Sequence, residues 1–228
     1  MVFEKYTLLL FTLIISASLF AQPVSAPDFA EQITRSPAQL LDVRTAQEYG
    51  KGHIANALHA DWLERKEFAR RTDYLDKQKP VYVYCASGPR STAAAKYLRE
   101  QGFSKVIELK GGFNGWKAAG LAFEETAKTT QISMKEYQSY TTGAEIVLID
   151  FGAPWCPPCR KMEPVLQELE RSLPSNARLV RIDADAATQV MKELEVEALP
   201  TFLIYKNGQL SWKKNGLVSL DELRKAIN

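Results

Sequence analysis

The sequence has few histidines and cysteines to bind a metal and little excess positive charge to bind a nucleic acid. Its 228 residues include only two histidines, His53 and His59, and three cysteines, with no second C-x-x-C to complete a zinc site. Lysine and arginine total 29 against 27 acidic residues, so the net charge of +2 offers no basic excess to nucleic acid or an anionic membrane surface. The sequence therefore predicts no metal, no cofactor and no nucleic-acid partner.

The apolar stretch near the N-terminus is short for a membrane-spanning helix. Residues 8–20 (LLLFTLIISASLF) are almost wholly apolar, whereas a span needs about 20 residues. A run of this length, after Lys5 and before the small residue Ala21, is typical of a signal peptide, which we assign to residues 1–21. Cleavage at Ala26 and an uncleaved N-terminal anchor are the alternatives. In each case the sequence predicts an exported, periplasmic protein.

The three cysteines are few and unevenly spaced for an exported chain. Structural disulfides would usually involve an even number of cysteines at long spacings. Here Cys156 and Cys159 form one close pair, and Cys85 is left over. This usage favours reactive rather than structural cysteine.

Strand-like and helix-like segments alternate in two groups, which predicts two α/β domains in tandem. Residues 123–131 have little apolar content and are predicted to form the linker. Asn207-Gly208 is a turn signal that joins the last two strands in a hairpin. The predicted strands are 39–43, 81–84, 105–109, 145–151, 178–182, 201–205 and 209–212, and the predicted helices are 61–71, 91–101, 158–173, 186–194 and 220–227.

The segment Trp155-Cys156-Pro157-Pro158-Cys159 lies between a predicted strand and a predicted helix. A redox dithiol needs one exposed sulfur, whose thiolate a helix N-terminus stabilises, and a second sulfur close behind it. Strand, W-C-P-P-C and helix supply that arrangement, with Pro158 at an early helix position that tolerates proline. We therefore expect Cys156 to attack and Cys159 to resolve the mixed disulfide.

Residues of roughly 131–228 resemble the thioredoxin family. The stretch 151–161 (FGAPWCPPCRK), which contains Trp155, is similar to the family's active-site segment, and Pro200 in 199–201 (LPT) is similar to its cis-proline. The resemblance implies a thiol–disulfide oxidoreductase in which Pro200 packs against the disulfide and helps to bind the partner chain. It also implies a proton-handling role for Asp150, for which a polar strand residue satisfied by local hydrogen bonds is the alternative.

The two residues between the paired cysteines depart from the family's common Gly-Pro. Pro157-Pro158 resembles exported thioredoxin-like reductases, such as those that serve cytochrome maturation. Because the intervening dipeptide tunes the reduction potential, the direction of electron flow stays open.

Cys85 begins a loop of small residues, 85–91 (CASGPRS), between a strand and a helix. Such a loop, with a glycine like Gly88, can turn backbone N–H groups inward around an anion, and the helix dipole adds to the effect. Arg90 is expected to add a fixed positive charge, so the loop would lower the thiol pKa and hold a dianion or a bound sulfur. On this loop alone, a buried strand-end cysteine is the alternative.

Residues of roughly 28–122 resemble a single rhodanese domain. The match includes 41–44 (LDVR), 52–54 (GHI), the C-x-x-G-x-R-S loop and 111–116 (GGFNGW). It implies that Cys85 accepts sulfane sulfur, typically from thiosulfate, as a persulfide, and that Gly88, Arg90 and Ser91 support it. The resemblance also implies that Asp42, Arg44 and Glu48 hold the scaffold and anchor the loop.

The length of this loop separates sulfur transfer from phosphate chemistry. Cysteine phosphatases of similar architecture use the longer C-x-x-x-x-x-R loop to surround a phosphate. Four residues separate Cys85 from Arg90, and this tighter loop fits a sulfur atom better than a phosphoryl group.

The resemblances predict an α/β protein of two tandem domains. A rhodanese-like parallel sheet with helices would occupy 28–122, and a thioredoxin-like mixed sheet with helices would occupy 132–228. Our leading hypothesis is that the Cys156/Cys159 dithiol reduces a Cys85 persulfide. The expected partners are a sulfur donor such as thiosulfate, protein thiols or disulfides, and an exported reductase system that restores the dithiol.

Two other functions remain open from the sequence. The second domain would be a general protein-disulfide reductase beside an independent rhodanese-like enzyme. Alternatively, the first domain would sense persulfides or anions and dock partners without turnover.

Overall fold

The computed structural model describes residues 22–35, 38–125 and 130–228. The predicted signal peptide, residues 1–21, lies outside the described residues. Within the described ranges, no helix is both long and apolar enough to cross a bilayer.

The first domain is built on a four-stranded parallel sheet in the order β2-β1-β3-β4. Its central strand, the VYVY segment, is buried at every residue because helices cover both faces of the sheet. The strands are β1 (Gln39–Asp42), β2 (Leu58–His59), β3 (Val81–Tyr84) and β4 (Val106–Glu108), and the helices are α1 (Ala26–Arg35), α2 (Ala46–Tyr49), α3 (Arg65–Thr72), α4 (Pro89–Glu100) and α5 (Gly112–Ala118).

The second domain has a mixed four-stranded sheet in the order β6-β5-β7-β8. Strand β5 is parallel to β6 and antiparallel to β7, as the sequence predicts for this domain. The strands are β5 (Ile146–Gly152), β6 (Ala177–Asp183), β7 (Thr201–Lys206) and β8 (Gln209–Asn215), and the helices are α6 (Met134–Tyr140), α7 (Pro157–Arg171), α8 (Thr188–Glu193) and α9 (Leu220–Ile227).

The hairpin that joins β7 to β8 confirms the predicted turn. Asn207 and Gly208 both have positive φ angles, 52° and 76°. Two consecutive residues of positive φ are characteristic of the tight turns whose twist suits a two-residue hairpin.

The helix predicted over 61–71 begins later than expected and has a buried side. The Asp61 side chain accepts a hydrogen bond from the Leu63 backbone N–H at 2.9 Å, which holds the segment in a turn and delays the helix to Arg65. Phe68 in this helix is only 1% exposed and packs in the core. Because most residues of this segment are charged, its sequence does not indicate that one side of the helix is buried.

The helix predicted at 186–194 begins two residues later than expected, after a 3-10 turn. A short 3-10 turn covers Ala184–Ala186, and α8 begins only at Thr188. The Asp183 side chain accepts a hydrogen bond from the Asp185 N–H at 3.0 Å and so caps the 3-10 turn.

Both ends of the predicted linker are bound to the domains. Glu124 exchanges backbone hydrogen bonds with His53 at 2.8 and 2.9 Å, and Phe123 packs against the core of the first domain. At the other end, the Gln131 side chain donates to the Asp185 carbonyl at 2.6 Å. Residues 126–129, in the middle of the predicted linker, lie outside the described residues.

Candidate active sites

The Cys85 loop lies at the carboxyl end of the parallel sheet, where α/β folds commonly bind ligands. Strand β3 ends at Tyr84, Cys85 follows directly, and α4 begins at Pro89. Cys85 is a free thiol and only 1% exposed.

Hydrogen-bond donors surround the Cys85 sulfur. The Gly88 N–H donates to Sγ at 3.1 Å, and the Ser91 hydroxyl lies 3.5 Å from Sγ and 2.8 Å from the Gly88 carbonyl. Burial raises the pKa of the thiol, but hydrogen bonds from the Ser91 hydroxyl and from the N–H groups of Ser91, Gly88 and Ser87 outweigh it, so the pKa is lowered. The loop is arranged to hold a thiolate.

The first turn of α5 supports this loop through two backbone hydrogen bonds. The Phe113 N–H donates to the Cys85 carbonyl at 2.7 Å, and the Asn114 N–H donates to the Ala86 carbonyl at 2.9 Å. Gly112 makes this approach possible, because a Cβ there would lie 2.4 Å from the Cys85 carbonyl oxygen and 2.7 Å from the Ala86 carbonyl carbon.

Arg90 carries the positive charge expected near Cys85, and that charge is paired with Glu48. Its guanidinium donates two hydrogen bonds of 2.7 Å to the Glu48 carboxylate. The hydrogen bond from Arg90 is the main reason that the pKa of Glu48 falls to about 2. The pair ties α4 to α2, which makes Glu48 a loop anchor.

In the second domain, Cys156 and Cys159 are joined in a disulfide at the start of α7. Cys156 is the N-cap residue, and its sulfur accepts a hydrogen bond from the Cys159 N–H at 3.2 Å. This donor and the helix N-terminus favour the thiolate form of Cys156 after reduction. The expected exposure of the first sulfur is not found, since Cys156 is only 1% exposed.

Asp150 is a buried residue of β5 that borders the same cavity as Cys159. It is 7% exposed, and burial raises the pKa of its carboxyl to about 7, with Arg181 lowering it and Glu163 raising it. Among the described residues, its Oδ1 atom has no hydrogen-bond partner. Asp150 and Cys159 line one cavity of about 580 Å³. Asp150 therefore faces a cavity that Cys159 also lines.

Arg181 and Glu163 are site residues that the sequence analysis missed. They form an ion pair of 3.0 Å at the wall of the Asp150 cavity. Arg181 is also the cross-strand neighbour of Asp150 in the register of β5 and β6. The register of β5 and β6 would have predicted that Arg181 lies next to Asp150, because cross-strand partners lie side by side on one face of a sheet.

The segment around Pro200 has the predicted conformation. The Leu199–Pro200 peptide bond is cis, and the Pro200 carbonyl accepts a hydrogen bond from the Gly216 N–H at 2.8 Å. The indole N–H of Trp155 donates to Asp185 at 2.8 Å.

Different residues surround the two cysteine sites. Gly88, Arg90 and Ser91 surround or anchor the Cys85 loop, whereas Asp150, Trp155 and the cis-proline segment surround the disulfide. Within the described ranges, no hydrogen bond or ring contact joins loop 85–91 to the second domain.

Family models match both halves of the chain. The model for the rhodanese-like domain matches residues 25–119, and the model for thioredoxin matches residues 128–228. Over 88 residues the chain is 42% identical to thiosulfate sulfurtransferase GlpE of Coxiella burnetii, spanning 39% of this chain and 79% of that protein. The chain belongs to the rhodanese-like family, fused to a thioredoxin domain.

Further relatives are similar to one domain each. Thiosulfate sulfurtransferase GlpE of Actinobacillus pleuropneumoniae is 38% identical over 94 residues, 41% of this chain and 84% of that protein, in the rhodanese-like domain. Oxidised mitochondrial thioredoxin 3 of Saccharomyces cerevisiae is 36% identical, with a TM-score of 0.39 over 43% of this chain and 92% of that chain. A rhodanese-related protein of Thermoplasma volcanium is 30% identical, with a TM-score of 0.40 over 45% of this chain and 96% of that chain.

Proposed function

We propose that the rhodanese-like domain is a thiosulfate sulfurtransferase that carries sulfur on Cys85. The observation that carries this proposal is the ring of N–H and hydroxyl donors around Sγ, which lowers the pKa of the thiol despite its burial. The Cys85 thiolate attacks the outer sulfur of thiosulfate and breaks its sulfur–sulfur bond. Sulfite leaves with the bonding electron pair, and Cys85 becomes a persulfide.

In the second step, the thioredoxin domain reduces that persulfide. The Cys156 thiolate takes the outer sulfur, which frees the Cys85 thiolate and makes a persulfide on Cys156. The Cys159 thiolate then attacks the sulfur atom that belongs to Cys156 and displaces hydrosulfide. Two thiols are oxidised to the Cys156–Cys159 disulfide, and one sulfane sulfur gains two electrons to become sulfide.

Asp150 is suited to accept and release protons in this step. A carboxyl whose pKa is raised to about 7 is close to the ambient pH, where a proton carrier works best. The same cavity borders Asp150 and Cys159, so the carboxylate can accept the proton of the Cys159 thiol, directly or through water. An exported reductase system would return the disulfide to the dithiol.

The test of the first step is the mass of Cys85 after thiosulfate treatment. Peptide mass spectrometry of the reduced Cys156→Ser protein is expected to find one added sulfur on Cys85. The Cys85→Ser/Cys156→Ser protein is the matched control and should gain none. A Cys85 peptide without the added sulfur, together with no sulfite release, would rule out the sulfurtransferase step.

A general protein-disulfide reductase is the second candidate function. The separate construction of the two sites favours it, because the thioredoxin domain has its own Asp150 cavity and cis-proline segment. Insulin reduction at the full rate by the Cys85→Ser protein would support this function. If the same protein reduces insulin normally but no longer releases sulfide from thiosulfate, the persulfide cycle is a second activity of the wild-type chain.

We also propose that the chain is exported and cleaved after Ala21. Val24 exchanges backbone hydrogen bonds with Glu108 and Lys110 at 2.8 Å, so cleavage after Ala26 would remove a strand-like pairing of the rhodanese-like domain. N-terminal sequencing of the protein from the periplasmic fraction should begin at Gln22. An intact N-terminus in the membrane fraction would instead support the uncleaved anchor.

A further inference from the structure

The dithiol segment of the thioredoxin domain lies against the rhodanese-like domain. The Trp155 ring meets the His59 ring edge-on at 5.7 Å and the Tyr49 ring at 6.3 Å, and the Arg71 guanidinium lies 4.9 Å over the Trp155 ring. Trp155 packs against buried hydrophobic clusters of both domains. Aromatic and arginine side chains of this kind dominate the energetics of protein interfaces.

A backbone hydrogen bond also joins the two domains at a sheet edge. The His59 N–H donates to the Trp155 carbonyl at 2.8 Å. His59 belongs to β2, the outermost strand of its sheet, whose other side pairs with β1. An edge strand presents unpaired backbone groups that another chain segment can use, and the Trp155 carbonyl pairs with one of them.

Two more hydrogen bonds come from arginines on either side of the boundary. The Arg160 guanidinium donates to the Asn56 carbonyl, and the Arg70 guanidinium donates to the Leu199 carbonyl, both at 3.3 Å. Leu199 immediately precedes the cis-proline, and Arg160 immediately follows Cys159. The rhodanese-like domain therefore contacts chain segments on both sides of the disulfide.

We propose that Tyr49, His59, Arg70 and Arg71 form an internal docking surface for the dithiol face, and that the docked chain is closed to protein disulfides. The occupant of this surface is the thioredoxin domain of the same chain. Thiol–disulfide exchange requires a partner sulfur to approach Cys156 directly. In the docked chain Cys156 is 1% exposed, with Trp155 engaged on one side and Arg160 on the other.

The docking surface also affects the persulfide cycle, a consequence that rests on the proposed function. Loop 85–91 makes no hydrogen bond or ring contact to the thioredoxin domain within the described ranges. We therefore expect the domains to separate, or a second molecule to take part, before sulfur passes between them. The docking proposal itself involves neither Cys85 nor thiosulfate.

The experiment compares the full chain with an Arg70→Ala/Arg71→Ala variant, which loses the guanidinium contacts to Leu199 and Trp155 and also the hydrogen bond from Arg71 to the His59 carbonyl. Lys66→Ala is the matched control, because Lys66 is an exposed cation on the same helix. Tyr74→Ala is a second variant, since Lys161 of the thioredoxin domain lies 5.8 Å from the Tyr74 ring and Tyr74 is not in the core. The readouts are hydrogen exchange of the His59 amide and the rate of insulin disulfide reduction.

Docking predicts a protected His59 amide in the wild-type chain and in the Lys66→Ala control. Both interface variants should exchange this amide faster and reduce insulin faster, by about tenfold for the double variant, which corresponds to about 1.4 kcal/mol of docking energy. Two results would overturn the proposal. One is a His59 amide that already exchanges freely in the wild-type chain. The other is faster exchange in the variants with no gain in insulin reduction.

Discussion

The Cys85 sulfur depends chiefly on short-range hydrogen-bond donors. Arg90, the nearest candidate cation in the sequence motif, is paired with Glu48, whereas Ser91 and the loop N–H groups reach the sulfur. The motif therefore predicts the position of these residues correctly but not the partner of Arg90. Glu48 lies 42 positions away in the sequence, and only the packing of α2 against α4 brings the two together.

Removing the Ser91 hydroxyl should raise the pKa of the Cys85 thiol. The hydroxyl has one hydrogen, which it can give to the Gly88 carbonyl or to the sulfur, and its donation favours the thiolate. For Ser91→Ala we expect a rise of about one pKa unit, the size of one hydrogen bond to a charged group. The pH profile of iodoacetamide reaction with Cys85 measures it.

Thr92→Ala is the control for Ser91→Ala. It removes a hydroxyl from the next residue of the same helix, where the partner is Glu108 and not the sulfur. An equal shift in both variants would mean that Ser91 has no specific role at the thiolate.

Replacing Asp150 by asparagine should stabilise the thioredoxin domain at alkaline pH. Burial raises the pKa of Asp150 to about 7, so between about pH 4 and pH 7 the native state keeps a proton that the unfolded state has released. The free energy of unfolding therefore falls as the pH rises through this range. Asparagine removes the buried charge, which should increase stability by roughly 2–4 kcal/mol at about pH 8 and by much less at about pH 4.

Urea unfolding of the oxidised proteins at the two pH values measures this difference. Glu170→Gln is the control, because Glu170 is an exposed carboxylate on α7. A stability gain for Asp150→Asn that is the same at both pH values would contradict the assignment of a buried, charged carboxylate.

At the scale of elements, the Cys85 loop is held in place by the N-terminal turn of α5. Gly112 lets this turn approach within backbone hydrogen-bonding distance of Cys85 and Ala86. A methyl group at Gly112 would clash with backbone atoms, which cannot rotate away as a flexible side chain can. The glycine is therefore part of the site's architecture although it makes no contact with the sulfur.

Gly112→Ala should lower the rate of sulfite release from thiosulfate by about tenfold or more, since small displacements of reacting groups are costly. Gly120→Ala is the matched control. Both glycines have left-handed φ angles, 58° and 69°, but a Cβ at Gly120 meets nothing within 4 Å. If the two variants lose activity equally, backbone strain and not the Cys85 contact is responsible.

Most of the strands and the longest helix, α7, were predictable from the sequence, whereas α1, α2, α5, α6 and β2 were not. The apolar run of β3 and the strand–W-C-P-P-C–helix pattern define their elements locally. By contrast, α2 has four residues and β2 has two, too few for any period to be recognised. These are the elements that carry Tyr49 and His59, so the contact with Trp155 was invisible from the sequence.

At the scale of the whole molecule, one chain carries both cysteine sites. Among the described residues, however, no hydrogen bond or ring contact joins loop 85–91 to the thioredoxin domain. Trp155, which the sequence analysis treated only as part of the dithiol motif, connects the hydrophobic clusters of both domains. The first sulfur of the dithiol, predicted to be exposed, is buried, and Cys156 belongs to the hydrophobic cluster of its own domain.

The central claim is that the dithiol reduces the Cys85 persulfide. Its most direct test is the sulfide released when pre-reduced full-length protein, freed of other reductants, is mixed with thiosulfate. We predict one sulfide and one Cys156–Cys159 disulfide per chain for the wild-type protein. The Cys156→Ser protein should release sulfite and keep the persulfide on Cys85. Equal sulfide release from Cys156→Ser and wild-type protein would contradict the account.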